Sequence, residues 1–449
     1  AIGLSDTSGD SHFFLSSYIS GVGFNITATP DFVDPSAWYN LVVSFDSSVA
    51  TPSSSSIRMW VNGVLQTAFN TETYPAQNHA LWFSHPSYVT RIGSRGPSPD
   101  DWFDGYMAEF AFIVNQALDA TSFGEFDSNG VWIPIDTTTL TFGNNGFLIT
   151  GGTDMAAGTD SSGNSNSFTK VATVTATKDS PTDSADDGYG NYATLLPIAE
   201  GNDNSNKITY SNGNLTAVQP GGHGCMAYGS IGVSSGKWAW EVNPQVVHAS
   251  YTGVLGIGIA SVQSKQTANH IDNAWNSTYA NGYCYKGNGD KNVLGTDSTY
   301  GSAYNASNLI RVELNLDDDE VEFFRDDVSQ GTISIITGQT WFPAWYNYIA
   351  SDKVTFEFQS LTNTPTAGFK LINTANLPAP SITKPSDQFL PIVYEGDGGG
   401  QRVGNFIPFT DAYTVDNSCV FDDGDNDYLT RTPSGAGNRK TWTFSAWIK

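Results

Sequence analysis

Cysteine, basic residues and long apolar runs are all scarce in this sequence. Its three cysteines, Cys225, Cys284 and Cys419, form no C-x-x-C pair and no zinc-type spacing with the six histidines. An odd number of cysteines also argues against a disulfide framework, so packed cores must stabilise the fold. No apolar run in the sequence approaches the length of a membrane span.

The shortage of positive charge excludes further classes of function. Twenty Lys and Arg stand against 45 Asp and Glu, which gives a formal net charge of −25. Nucleic acids and anionic membranes are bound through cationic surfaces, so we expect neither as a partner. Neutral sugars, divalent cations and basic partners remain. The acidity itself favours solubility in a salty or extracellular medium over a specific cation role.

Small polar residues and aromatic residues are abundant. Charged residues make up only 14% of the chain, hydrophobic residues 39% and aromatic residues 13%. Frequent Gly, Ser, Thr and Asn are typical of short strands joined by many turns. The composition therefore predicts an all-β protein with very little helix, built from tandem antiparallel β-sandwiches, and 449 residues allow two to four domains.

Residues 38–67 carry the clearest hairpin signal. Two alternating strands, Asn40 to Asp46 and Ile57 to Val61, flank a Ser-rich loop, and Asn62-Gly63 supplies the positive φ angles of a tight turn. A longer strand is predicted from Gly105 to Asn115. Asp119 then stands where it can cap a short helical turn.

These residues resemble the laminin-G-like, or concanavalin A-like, jelly-roll family of lectin and adhesion modules. The resemblance rests on Trp38-Tyr39, "WVNGV", Arg91-Ile92-Gly93, "FDGYMAEFAF" and "QALD" in that order. Phage-derived members often continue with segments like "SFGEFDSNGVWIP" and "GNNGF", found here at 122–134 and 143–147. The resemblance implies a laminin-G-like sandwich over residues 1–150 that lacks its first strands, and a virion structural protein such as a tail fibre or adhesin.

The rest of the chain divides by composition and by a second resemblance. Residues 151–190 are rich in Gly, Ser, Thr, Asp and Asn and predict a linker. Residues 191–374 resemble the SPRY (B30.2) β-sandwich through "GKWAWEV", "GIGIAS", an acidic hairpin and "WFPAW". In that hairpin Asp326-Asp327 occupies the turn, where the family usually has Asn-Gly. Residues 375–403 are rich in Pro and then Gly and predict an extended connector.

Residues 404–449 end in "RKTWTFSAWIK", whose period of two predicts a strand with one face on a core. In laminin-G-like modules such a strand precedes the elements found here at 38–126. We expect it to complete the first domain of its own chain, or failing that a neighbouring copy or a domain outside this sequence. An unpaired strand with this much exposed Trp and Phe would promote aggregation.

The sequence gives little support for catalysis. Glycosidic-bond hydrolysis needs two suitably placed carboxyl groups, and Glu320 and Glu322 share one strand face. An acidic turn at the head of a hairpin explains them, and Glu109 and Glu125 have no acidic partner nearby in sequence. His223 belongs to a "GGHGC" turn with no Ser-His-Asp or Cys-His pattern. We therefore expect a protein that is not an enzyme.

Asp423, Asp425 and Asp427 stand at alternate positions in "DDGDNDYLTR" and are weak candidates for a metal site. The pattern is not that of an EF-hand, because the sixth and twelfth positions counted from Asp423 are Tyr428 and Ser434. A solvated turn is the favoured interpretation. We expect no cofactor, with calcium left open.

Aromatic residues among Asn, Ser and Gly suit the apolar face and hydroxyl rim of sugar rings, and they suit protein partners as well. Two segments, 270–292 and 341–348, have this composition. Trp345 and Tyr283 are predicted to belong to the core instead. The candidate ligand-binding residues are Trp275, Tyr279, Tyr285, Tyr346 and Tyr348.

Together these features predict a non-catalytic virion or extracellular protein, a tail-fibre or surface-fibre adhesin that binds a host-surface glycan or protein. The alternatives are a purely architectural capsid, tail or fibre protein and, less favoured, a glycan-cleaving enzyme. The sequence lacks heptad repeats, so self-association as a homotrimer or head-to-tail assembly would use sandwich faces or strand exchange.

Overall fold

Strands dominate the chain, which confirms the predicted all-β class. The structure is a computed structural model that describes all residues except 8–9, 20–21, 33, 82, 84, 96–100, 128–129, 185–187, 198–207, 220, 222–223, 251, 262–281, 379–412 and 416. The chain forms two units: Ala1–Asn191 with Pro378–Lys449, and Tyr192–Leu377. In sequence, the second unit is an insertion within the first. None of the described helices is both long and apolar enough to cross a membrane.

The first unit begins with fourteen strands. They are β1 (Ile2–Thr7), β2 (Asp10–Ile19), β3 (Val22–Asp31), β4 (Tyr39–Asp46), β5 (Ile57–Val61), β6 (Val64–Leu65), β7 (Phe69–Thr73), β8 (Thr90–Ile92), β9 (Gly105–Val114), β10 (Gly124–Phe126), β11 (Trp132–Pro134), β12 (Phe147–Ile149), β13 (Thr169–Val171) and β14 (Thr175–Thr177). A five-residue helix, α1 (Thr153–Ala157), and a 3-10 turn at Ala120–Ser122 lie between them.

Fourteen further strands form the second unit, and three more return to the first. Those of the second unit are β15 (Thr209–Ser211), β16 (Thr216–Val218), β17 (Cys225–Tyr228), β18 (Lys237–Val246), β19 (Gly256–Ser261), β20 (Gly282–Lys286), β21 (Asp290–Val293), β22 (Thr296–Thr299), β23 (Ile310–Asn315), β24 (Glu320–Arg325), β25 (Val328–Ser334), β26 (Trp341–Asn347), β27 (Lys353–Glu357) and β28 (Lys370–Leu371). The returning strands are β29 (Ser418–Phe421), β30 (Tyr428–Arg431) and β31 (Thr441–Ile448). Three 3-10 turns accompany them, at Thr252–Val254, Thr374–Asn376 and Asp423–Asp425.

One large sheet organises the first unit, in the order β14-β29-β9-β31-β4-β5-β6 with β12 also paired to β9. A four-stranded sheet (β1-β2-β3-β7), a three-stranded sheet (β13-β30-β8) and the hairpin β10-β11 complete the unit. Buried side chains of the four-stranded sheet, such as Phe13 and Ile26, share a core with one face of the large sheet. The opposite face of the large sheet packs into a second core that includes Trp60 and Trp132.

The strand β31 lies between β4 and β9 in the middle of the large sheet, so its partners come from the same chain. The predicted one-sided burial is wrong, because both faces are covered. Trp442 and Phe444 enter one core, and Trp447 enters the other. The polar side chain of Thr443 is buried as well. Its hydroxyl satisfies its hydrogen bonds there, because it donates to the Gln116 carbonyl (2.9 Å) and accepts from a backbone amide.

Residues 151–190 are part of the first unit and not a linker. Within them β13 pairs with β30 and β14 pairs with β29, while Met155 of α1 is fully buried. The polar composition reflects an ordered loop: the Asp160 carboxylate accepts from the backbone amides of Leu148, Ser162 and Asn166. Short polar side chains here satisfy buried backbone groups, which a composition count alone cannot distinguish from a solvated linker.

The second unit is a two-sheet antiparallel sandwich. One sheet has the order β15-β16-β27-β18-β23-β24-β25, with β28 parallel to β18, and the other has the order β17-β26-β19-β20-β21-β22. Trp345 and Tyr283 are buried in its core, as predicted. The described unit spans Tyr192–Leu377 instead of 191–374, and most of the predicted 375–403 connector lies outside the described residues.

Candidate ligand-binding concavity

The outer face of the six-stranded sheet of the second unit carries a candidate site. Along β26 the side chains alternate, so that Trp345 enters the sandwich core whereas Tyr346 packs against a small cluster on the outer face. Tyr348 follows directly after the strand and is 45% exposed. Two of the predicted ligand-binding residues are thereby brought to the same surface.

Tyr346 and Tyr348 line a concavity of about 320 Å³. Three adjacent strands, β26, β19 and β20, provide its floor. Close backbone approach shapes this region, since a Cβ atom at Gly224 would lie 2.4 Å from the Tyr346 hydroxyl. The described residues that line it are Gly253, Val254, Gly256, Cys284, Lys286, Asn292, Tyr346 and Tyr348.

A charged and polar network forms one side of the concavity. Lys286 Nζ lies 2.6 Å from Asp297 Oδ2, and Asn292 Nδ2 donates to Asp297 Oδ1 at 2.7 Å. Asn292 and Asp297 face each other across the hairpin β21-β22, and Asn292 Oδ1 accepts from the backbone amide of Gly295 (2.9 Å). The lysine charge is therefore balanced by the aspartate, and the amide is held in one orientation.

Sequence reasoning missed Lys286, Asn292 and Asp297. A usable signal was present, because β20 follows a strict alternation in which Tyr283 and Tyr285 face the core and Cys284 and Lys286 face outward. The tight turn at Leu294-Gly295, with φ of 48° and 85°, then places Asn292 opposite Asp297. The alternation in "GYCYK" thus indicates that Lys286 faces outward.

Cys284 lies on the floor of the concavity. Its side chain is buried, and that burial raises the pKa of the thiol well above its ordinary value despite the nearby Lys286. The thiol is therefore protonated at neutral pH. Among the described lining residues no carboxylate is present.

The prediction for Tyr285 as a ligand-binding residue is wrong. Its side chain is fully buried, its ring packs 4.9 Å from that of Tyr304, and its hydroxyl donates to the Ser302 carbonyl. The cause is strand parity, which sends Tyr285 inward with Tyr283. Trp275 and Tyr279 lie outside the described residues.

A second, smaller concavity of about 210 Å³ lies on the other sheet and contains both acidic candidates, Glu320 and Glu322. They belong to the strand β24 and not to the hairpin turn, which is formed by Leu316 to Asp319. Glu322 accepts from the Ser329 hydroxyl, and its cross-strand neighbour Glu313 pairs with Arg311. The carboxylates of Glu322 and Glu313 are therefore already engaged in contacts within the second unit.

The three aspartates predicted as a weak metal site have different surroundings. Asp423 and Asp425 lie in a 3-10 turn, whereas Asp427 is 1% exposed. The Asp427 carboxylate accepts from the backbone amides of Thr173 (2.6 Å) and Asp422 (3.2 Å), which docks the 171–177 segment. Across the described residues no cluster of three His, Cys, Asp or Glu side chains could hold a metal ion.

Comparison with known proteins relates the chain to solved structures alone. No family model and no curated protein matches the sequence. The SPRY domain of human HERC1 is similar at 15% identity and a TM-score of 0.31, covering 36% of this chain and 96% of that domain. A human SPRY domain (15%, TM-score 0.27, 33% and 94% covered) and the TRIM65 PSpry domain (13%, 0.29, 37% and 90%) are similar as well. Solved SPRY domains are therefore among the structures that this chain resembles over about a third of its length.

Proposed function

We propose that this chain is a non-catalytic binding protein of a virion surface, a tail-fibre or surface-fibre adhesin that binds a host-surface glycan or protein. The observation that carries the binding role is the concavity in which Tyr346 and Tyr348 face the Lys286–Asp297–Asn292 network. The virion assignment rests on the resemblance of residues 1–150 to phage-derived laminin-G-like modules. Both sandwiches then serve as scaffolds that present loops and sheet faces.

The chemistry of the concavity favours a neutral sugar ring among candidate ligands. An aromatic ring such as that of Tyr348 packs against apolar C–H faces, and its cost in conformational entropy is small. Lys286 retains N–H donors and Asp297 retains acceptor capacity beyond their mutual contact. Neighbouring hydroxyl groups of a sugar ring can donate to Asp297 and accept from Lys286. The balanced charge of this pair gives little attraction for a strongly anionic ligand.

The test is glycan-array binding of the full chain and of the Tyr348→Ala variant. We expect binding of neutral glycans that falls at least about tenfold in the variant, equivalent to about 1.4 kcal/mol. Tyr88→Ala is a matched control, because Tyr88 is 41% exposed and belongs to the first unit. Binding that is equal in both variants would remove the concavity from the proposal.

The architectural alternative makes a different prediction for the same surface. In that case the concavity would be covered by another subunit of the particle, and no glycan would bind. An exposed edge strand supports self-association, since all four residues of β22 are exposed and β22 ends its sheet within the described part of the chain. A homotrimer or head-to-tail assembly is the form we propose. Multi-angle light scattering that gives a monomeric mass would exclude it.

A glycan-cleaving activity has one feature in its favour, the grouping of Glu313, Glu320 and Glu322 in the smaller concavity. Hydrolysis requires two carboxyl groups about 5 to 10 Å apart that are free to act on substrate. Glu313 is 2% exposed and already accepts from Arg311 and from the backbone amide of Thr366. We therefore place this alternative last; release of reducing sugar that is lost in Glu322→Gln would reverse that order.

A further inference from the structure

Lys449 follows β31, and its side chain is buried beside two side chains from the segment that precedes the second unit. Lys449 Nζ lies 2.7 Å from Asp179 Oδ2 and 2.5 Å from Asn191 Oδ1. The side chains of Lys449 and Asp179 are both 0% exposed, and Asn191 is 4% exposed. An amine, a carboxylate and a carboxamide therefore meet in a space closed to solvent.

Neighbouring groups hold the three side chains in a defined arrangement. The Trp38 indole N–H donates to Asp179 Oδ1 (2.9 Å), and Asn191 Nδ2 donates to the Ser36 carbonyl (2.9 Å). The second contact turns the carboxamide oxygen of Asn191 toward the lysine. The carbonyl carbon lies one C=O bond, about 1.2 Å, beyond that oxygen. The amine therefore contacts the oxygen of the carbonyl group whose carbon it would attack.

The surroundings also favour the reactive form of the amine. Burial lowers the pKa of Lys449, although the neighbouring Asp179 acts in the opposite direction. The Tyr106 ring, with its centroid 5.4 Å from Nζ, acts in the same direction as Asp179, because its π face stabilises the ammonium form. A desolvated lysine is an effective nucleophile, and a fixed approach geometry replaces a bimolecular encounter with an intramolecular one.

We propose that Lys449 and Asn191 become joined by an intramolecular isopeptide bond, with Asp179 as the proton carrier. Asp179 takes a proton from the Lys449 ammonium, and the free amine attacks Cγ of Asn191 to form the new C–N bond. The protonated Asp179 then gives its proton to Nδ2, the Cγ–Nδ2 bond breaks with its electron pair on nitrogen, and ammonia leaves. The excess proton on the new amide nitrogen passes to the carboxylate or to ammonia. No oxidant or further reactant is needed.

In this proposal the lysine amine attacks Asn191 and not Asp179. A carboxylate resists attack by a nucleophile because it is negatively charged, whereas the carboxamide is neutral. Asp179 also accepts from the Trp38 indole, which stabilises its anionic form, the form that takes the lysine proton in the first step. The lysine, the carboxylate and the carboxamide therefore have distinct roles.

The bond would fasten β31 to the residue that directly precedes the second unit, Tyr192–Leu377. It would close a long loop through the chain and restrict the unfolded state, as a disulfide does. No disulfide joins any of Cys225, Cys284 and Cys419, so this cross-link would supply a covalent restraint that disulfides do not. Reducing agents would not break it.

Intact-mass spectrometry of the denatured full chain tests the proposal. We expect a mass lower than that of the sequence by about 17 Da, the mass of one ammonia. After trypsin digestion, a branched peptide should join 441–449 to 179–207. An unmodified mass overturns the proposal. So does a loss of about 18 Da with the bond at Asp179, or a 17 Da loss without the branched peptide.

Substitutions test the role of each of the three residues. Lys449→Arg and Asn191→Ala should each restore the unmodified mass, and Asp179→Asn should prevent the mass loss. Full cross-linking in Asp179→Asn would overturn the role of that residue. Lys440→Arg is the matched control, because Lys440 Nζ forms an exposed contact with Asn78 Oδ1 (3.2 Å) and should not affect the mass loss. Since the wild-type mass alone can refute the bond, the test does not depend on the folding of any variant.

Discussion

The Trp442 indole stacks on the Phe45 ring, with ring centroids 4.8 Å apart and planes inclined by only 10°. The two residues are direct cross-strand partners of β31 and β4. Phe83 and Phe112 also pack on this indole, at 5.9 and 5.6 Å. A side chain near the end of the sequence thus joins aromatic groups from three other parts of the first unit into one cluster.

Replacing Trp442 by Ala should destabilise the first unit by about 3 to 5 kcal/mol, because the indole is fully buried and its loss leaves a cavity in the sheet core. Hydrogen exchange of the β4 amides in increasing urea measures this loss, while exchange of the β23 amides reports the second unit. We expect protection to fall in β4 and to stay unchanged in β23. Tyr88→Ala, at an exposed site, should change the free energy by no more than about 0.5 kcal/mol; equal effects of the two substitutions would contradict the argument.

Gly63 should tolerate substitution less well than Gly163, although both have positive φ angles, 76° and 84°. A Cβ atom at Gly63 would lie 2.3 Å from the Trp132 ring, whereas at Gly163 nothing lies within 4 Å. Gly163→Ala therefore carries only the backbone strain of about 1 kcal/mol. Gly63→Ala adds a steric clash with a buried ring and should cost about 1 to 3 kcal/mol more.

Thermal unfolding of the two alanine variants, followed by circular dichroism, makes this comparison. The melting temperature of the Gly63 variant should be clearly the lower. If the two variants melt together, Trp132 does not pack against the hairpin turn as described.

Local rules predicted the hairpins well because their determinants are adjacent in sequence. Asn62 and Gly63 both adopt positive φ angles, and the Asp119 side chain accepts from the Thr121 amide (3.1 Å) as a cap. Asp326 and Asp327 form a turn with φ of 50° and 64°, despite the departure from Asn-Gly. In each case one or two residues set the backbone conformation.

The linker and the site residues could not be predicted in the same way. Whether 151–190 is a linker depends on partners such as β29 and β30, more than 200 residues away in the chain. The composition of a solvated loop and that of an ordered, polar edge segment are alike. Tyr285 and Tyr346 come from similar aromatic stretches, and only their strand parity decides that one is buried and the other borders the concavity.

The pair Arg311 and Glu313 should be sensitive to loss of one partner. Arg311 Nε lies 3.0 Å from Glu313 Oε1, and the two side chains are 4% and 2% exposed. Glu313→Leu should destabilise the second unit by about 1 to 3 kcal/mol, because the buried guanidinium loses this partner but keeps its contact with Asp327. The double variant Arg311→Met with Glu313→Leu should recover much of that loss. Urea unfolding of the two variants measures the difference, and a double variant no more stable than the single one would contradict this explanation.

Glu357 should make the second unit less stable as the pH rises. It faces Glu241 across the β18-β27 ladder, and burial together with that neighbouring carboxylate raises the pKa of Glu357 above its ordinary value of 4.5. The folded state therefore binds the proton more tightly than the unfolded state. Stability is lost as the pH rises from about 4.5 through the raised value, and the full penalty is present at neutral pH.

Removing this charge should stabilise the second unit at pH 7. Glu357→Gln is therefore expected to melt above the wild type at neutral pH, and the difference should vanish below about pH 4.5, where both states of the wild type are protonated. Glu241→Gln is the opposing control. The Glu241 carboxylate accepts from the Thr362 amide (2.6 Å) and from the backbone and side-chain nitrogens of Asn363 (3.1 and 2.9 Å), so its loss should lower the melting temperature. Two variants that shift in the same direction at pH 7 would show that repulsion between these carboxylates does not govern the pH dependence.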